Sequence, residues 1–143
     1  MAGESGDDYM SDGNGEDQIC GYGGRDSLIG RRGNDTRKGG AGEDRIIGES
    51  GADKLYGGSG NDTIYGGNGN DILLGWNGND RIYGGAGNDI TYGKNGNDSL
   101  YGSTGMDVMW GGGGNDYLTG QADNDRLYGN NGNDTIYGGS GED

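Results

Sequence analysis

Hydrophobic side chains in this chain recur singly, at one position in nine. Met10, Ile19, Leu28, Ile46, Leu55, Ile64, Leu73, Ile82, Leu100, Met109, Leu118, Leu127 and Ile136 fall on that period. Only Arg37 and Thr91 interrupt the row. The apolar residue sits in the middle of a β-prone triplet, as in Thr63-Ile64-Tyr65. Side chains alternate along a strand, so the middle residue turns inward and its neighbours face out. The pattern predicts one short strand per nine residues.

The positions between the triplets are equally regular. Asp falls at 8, 17, 26, 35, 44, 53, 62, 71, 80, 89, 98, 107, 116, 125, 134 and 143 without a slip. Gly lies five residues before each Asp, except at Asp12, and two residues before each, except at Asp123. Asn precedes the Asp in nine repeats, so the consensus is G-G-x-G-N-D-x-U-x, where U is apolar. G-G-x-G-N-D reads as turn material, because Gly reaches positive φ freely and Asn tolerates it. The absence of Pro leaves every strand N–H free for a ladder. Two repeats make one coil of strand, turn, strand, turn. Sixteen repeats predict about eight coils, a solenoid roughly 38 Å long at the usual strand spacing.

In such a coil alternate repeats stack. Asp62 is expected between Asp44 and Asp80, and Asp71 beside Asp89. Carboxylates about 5 Å apart repel by roughly 3 kcal/mol per pair at an effective dielectric near 20. Two columns of them require a partner of opposite charge.

Composition narrows what that partner is. The chain of 143 residues is 27% hydrophobic, with 39 Gly and no Phe or His, and carries a formal charge of −14. No basic patch suits nucleic acid. No apolar run is long enough to span a bilayer, and MAGESGDDYM lacks a signal-peptide core. The single cysteine, Cys20, excludes an internal disulfide and reads as an incidental outward thiol or an intermolecular one. Many carboxylates and few thiols point to a hard cation. Without His there is no Ser–His–Asp triad and no H-E-x-x-H site, so catalysis is not expected.

The sixteen in-phase copies of G-G-x-G-N-D-x-U-x resemble the RTX, or haemolysin-type, calcium-binding nonapeptide. The resemblance runs from Gly3 to Asp143. It implies an all-β domain over 1–143, a right-handed parallel β-roll with Ca²⁺ between successive turns. The implied ligands are the Asp carboxylates at all sixteen positions, with Gly carbonyls such as those of Gly57, Gly58, Gly60, Gly66, Gly67, Gly69, Gly84, Gly85 and Gly87. Seven gaps in each column allow up to fourteen ions, which would turn a charge of −14 into +14. Folding coupled to metal binding is expected. The resemblance also implies a secreted or cell-surface setting, with export by type I secretion.

Several features leave the role open. Arg37, at an inward position, reads as a local opening, an anion site, a distorted early coil or a side chain that snorkels out. Asp12 and Asp123 each replace a turn Gly, and either adds a carboxylate to a site or spoils its backbone. Tyr65, Tyr83 and Tyr101 are expected to form a ladder on one sheet, and Tyr92, Trp110 and Tyr128 on the other. Such ladders either bind a glycan or protein surface or simply pack along the strands. The mixed outward row (Tyr9, Gln18, Ser27, Thr36, Arg45, Lys54, Thr63, Ile72) argues against an ice-binding array. No capping segment is evident, so head-to-tail stacking into an extracellular fibre stands beside a structural module as a second reading.

Overall fold

Eighteen residues separate every pair of stacked positions, and this spacing decides the topology. The computed structural model describes residues 1–143 and contains fifteen strands and no helix. The odd-numbered strands form one parallel sheet: β1 (Tyr9–Ser11), β3 (Ser27–Ile29), β5 (Arg45–Ser50), β7 (Thr63–Asn68), β9 (Arg81–Ala86), β11 (Ser99–Thr104), β13 (Tyr117–Ala122) and β15 (Thr135–Ser140). The even-numbered strands form the other: β2 (Gln18–Gly23), β4 (Thr36–Ala41), β6 (Lys54–Ser59), β8 (Ile72–Asn77), β10 (Ile90–Asn95), β12 (Val108–Gly113) and β14 (Arg126–Asn131). The chain is thus a β-solenoid of about seven coils, with Ala2 adding only an isolated bridge to Cys20.

The strands are longer than the sequence pattern predicts. Most run for six residues rather than three, because the G-G-x segment continues the ladder. Tyr65 pairs with Tyr83, Gly67 with Gly85 and Asn68 with Ala86. The true turn is only Gly-Asn-Asp, as at Gly60-Asn61-Asp62. Segment G-G-x stays in the sheet because its second residue takes positive φ, 125° at Gly58 and 111° at Gly67, which bends the strand without ending it. Where Gly is missing at that position, Trp76 (83°), Lys94 (89°) and Ser103 (92°) are held in the same left-handed region. Each such residue costs on the order of 1–2 kcal/mol.

The core is one apolar side chain deep. Met10, Ile19, Leu28, Ile46, Leu55, Ile64, Leu73, Ile82, Leu100, Met109 and Leu118 form a single buried cluster. Thr91 and Arg37 occupy the same row and are equally buried. Leu127 is only partly covered, and Ile136 is 44% exposed, so it does not join the core. It lies on β15, an edge strand with no coil stacked beyond it.

Candidate metal centre

The Asp of each repeat ends the turn and points into the solenoid. Asp26, Asp35, Asp44, Asp53, Asp62, Asp71, Asp80, Asp89, Asp98, Asp107, Asp116 and Asp125 are all at most 3% exposed. Asp8, Asp17 and Asp134 are half-buried, and Asp143 is exposed. The two columns stand as the period requires. In one, the Asp62 N–H donates to Asp80 Oδ1 and the Asp44 N–H to Asp62 Oδ1, both at 2.8 Å. In the other, the Asp71 N–H donates to Asp89 Oδ1 at 2.8 Å.

That bond uses one carboxylate oxygen and leaves the other. Oδ2 is buried without any hydrogen-bond partner in eleven of the twelve: Asp26, Asp44, Asp53, Asp62, Asp71, Asp80, Asp89, Asp98, Asp107, Asp116 and Asp125. A buried carboxylate oxygen with no partner is costly, and a file of them is rare in a folded chain. The exception is Asp35, whose Oδ2 accepts from Arg37 Nη2 at 2.9 Å.

Each orphaned oxygen faces a backbone carbonyl across a glycine. A Cβ on Gly57 would collide with Asp62 Oδ2 and lie 2.8 Å from Gly75 O. A Cβ on Gly84 would meet Asp89 Oδ2 and lie 2.9 Å from Gly102 O. The missing side chain therefore leaves a cradle lined by a carboxylate and a carbonyl from the next coil. Of the glycines expected as carbonyl donors, Gly57, Gly66 and Gly84 stand in this way beside Asp44, Asp53 and Asp71. Gly58, Gly60, Gly67, Gly69, Gly85 and Gly87 stack instead against the backbone carbonyl eighteen residues earlier. The donor set is all oxygen, which suits a hard divalent cation.

Burial and repulsion show in the acidities. Burial pushes Asp62, Asp71, Asp98 and Asp107 up to about 6, and Asp80 and Asp89 to about 7. Cross-coil N–H bonds oppose the shift, and neighbouring carboxylates in the column reinforce it. The columns are most perturbed in the middle of the solenoid.

The Asn of the turn has a role that its backbone preference did not reveal. Asn61, Asn79 and Asn97 have no positive φ. Their side chains instead accept the N–H one coil on: Asn79 N–H to Asn61 Oδ1 at 2.8 Å, and Asn97 N–H to Asn79 Oδ1 at 2.7 Å. Asn and Asp thus bridge to coils on opposite sides. The sequence signal was the Asn column itself, at the same eighteen-residue spacing as the Asp.

The irregular positions separate. Arg37 neither snorkels out nor opens the wall: it is fully buried and pairs with Asp12 and Asp35. Asp12 turns inward and adds a carboxylate, whereas Asp123 is exposed and accepts the Gly105 N–H at 3.0 Å. Cys20 is half-buried and unpaired.

Both aromatic ladders form. Tyr65, Tyr83 and Tyr101 stack with centroids 4.9 and 4.7 Å apart. Tyr92, Trp110 and Tyr128 stack at 4.6 and 5.6 Å. The inner rings of each ladder spend both faces on their neighbours, and Arg45 and Lys94 approach the end rings Tyr65 and Tyr92.

A search of curated protein sequences gave no match. The family model of the RTX calcium-binding nonapeptide repeat, four copies long, matches residues 2–37, 38–73, 56–91, 65–100, 92–127 and 110–143. Its repeats and this fold are those of structural calcium-binding modules rather than of typical enzymes. With the match running almost end to end over a solenoid whose interior is lined by two files of aspartate, the chain belongs to the RTX calcium-binding nonapeptide repeat family.

Proposed function

We propose that this protein is a structural module whose β-roll closes when Ca²⁺ fills the interior Asp columns. The observation that carries this reading is the file of eleven buried Oδ2 atoms without partners, each beside a carbonyl of the next coil. Asp26, Asp44, Asp53, Asp62, Asp71, Asp80, Asp89, Asp98, Asp107, Asp116 and Asp125 would hold the ions, with Gly57, Gly66, Gly75, Gly84 and their equivalents giving carbonyl oxygens. Bound calcium supplies positive charge where like charges stack. The ion accepts six to eight oxygens in irregular geometry, whereas Mg²⁺ demands a near-ideal octahedron. A module of this kind suits a calcium-rich setting outside the cell and stays open where calcium is scarce.

Isothermal titration of the full chain with CaCl₂ tests the proposal. The expected result is binding of several ions per chain, with fewer bound by Asp80→Asn. Absence of calcium binding at millimolar concentration would overturn it.

A further inference from the structure

One cradle of the solenoid already contains a cation, and it is part of the chain. Arg37 stands on β4 in the apolar row, in register with Ile19 on one side and Leu55 on the other. Its side chain has no solvent exposure. Nη2 donates to Asp12 Oδ2 at 2.6 Å and to Asp35 Oδ2 at 2.9 Å, and Nη1 lies 4.0 Å from Asp53 Oδ1.

At Gly48 and Gly57, a Cβ would meet the Oδ2 of the Asp five residues on and the carbonyl of the next coil. At Gly30, the equivalent glycine, it would meet Arg37 Nη2, Arg37 Cζ and Gly48 O. The guanidinium has entered the cradle that the other repeats leave to two oxygens. Accordingly, Asp35 is the one fully buried Asp whose Oδ2 has a partner.

A second departure from the repeat meets the first. Asp12 replaces Gly at the start of its repeat, in the coil below Gly30, and its carboxylate reaches the same guanidinium. An Arg in the core row and an extra Asp in a turn are each costly alone, because a buried charge needs a counter-charge. Together they neutralise one another. The backbone adjusts: β3 stops at Ile29, and Arg31 does not take the positive φ of Gly40, Glu49 or Gly58 at the same repeat position. Arg37 Nε, Arg37 Nη1 and Asp12 Oδ1 remain without hydrogen-bond partners, so the pairing is incomplete.

We propose that Arg37 is a built-in substitute for the calcium ion beside Asp35, so that this cradle takes no metal. The inference rests on the calcium reading of the other turns. A guanidinium is permanently charged and cannot dissociate. It pairs with Asp12 and Asp35 at any calcium concentration, offsetting one of their two negative charges, and it fills the cradle and repels a divalent ion. In the acidic cluster Asp12, Asp17 and Asp35, whose oxygens lie within 4.8 Å of one another, Arg37 pairs with Asp12 and Asp35.

Calcium stoichiometry decides the matter. Arg37→Leu with Asp12→Gly restores the repeat, and Arg37→Leu alone frees the same cradle should the double variant fail to fold. Equilibrium dialysis of each full-length chain is expected to show one more Ca²⁺ per chain than wild type. Equal stoichiometry in wild type and in every folded variant would overturn the proposal while leaving calcium binding intact. No binding in the wild type would instead defeat the calcium reading itself. Wild-type crystals grown with calcium give an independent answer that needs no variant. Anomalous peaks beside Asp44 and Asp53, with none in reach of Asp35 Oδ2, are expected; a peak there contradicts the proposal.

Discussion

At the scale of the residue, one carboxylate does two things. Asp80 uses Oδ1 to hold the Asp62 N–H and keeps Oδ2 free in the interior. The first contact fixes the side chain, so the second oxygen does not have to be ordered when a ligand arrives. Without metal, the proton is the competing ligand. Burial raises Asp80 and Asp89 to about 7, whereas an unfolded Asp titrates near 3.8. The metal-free fold therefore holds protons that the unfolded chain has released. Protonation stabilises that fold fully below about pH 4, and the contribution is lost as pH rises through about 6 to 7. Calcium must displace those protons. Its affinity, measured by titration calorimetry, is expected to be weaker at about pH 5 than at about pH 8. Equal affinity at the two values would mean that the interior carboxylates are not the ligands.

At the scale of the element, each strand contributes one inward side chain, so a single polar substitution interrupts the core. Thr91 is such a case. It lies in register between Leu73 and Met109, is 1% exposed, and its hydroxyl has no partner. Thr91→Val keeps the shape and removes the orphaned hydroxyl. A gain of about 1 kcal/mol is expected in the calcium-loaded state, read from thermal or denaturant unfolding. A loss of stability would show that the hydroxyl is satisfied in a way these contacts do not include. Strand pairing and strand length differ in how far the sequence determines them. Pairing of Tyr65 with Tyr83 and of Tyr92 with Trp110 follows from the eighteen-residue spacing alone. Strand length does not, because Gly-Gly reads as a turn by its local preference. Only the cross-coil ladder, satisfied by a positive φ at residues such as Gly58 and Gly67, keeps it in the sheet.

At the scale of the whole molecule, the coils repeat but are not equivalent. The middle coils carry the most perturbed carboxylates, at Asp80 and Asp89. The coils nearest the N-terminus contain the Arg37 cation and the short strands β1 and β3. In the sequence, Arg37 and Asp12 are two separate departures from the repeat. Their connection was hidden because they lie twenty-five residues apart, in different coils, and meet only once the chain has wound. The division of charge along the solenoid then becomes physical. On the proposed reading, the cradle at Asp35 carries its own counter-charge, and the cradles with an orphaned Oδ2, from Asp26 to Asp125, take an external one.

On the proposed reading, calcium completes this core rather than decorating it. Far-UV circular dichroism of the full chain at about pH 8, first in chelator and then in millimolar Ca²⁺, tests it most directly. A weak strand signal in chelator and a large gain on adding calcium, reversed by further chelator, are expected. A strand signal of equal size in the two conditions would contradict it.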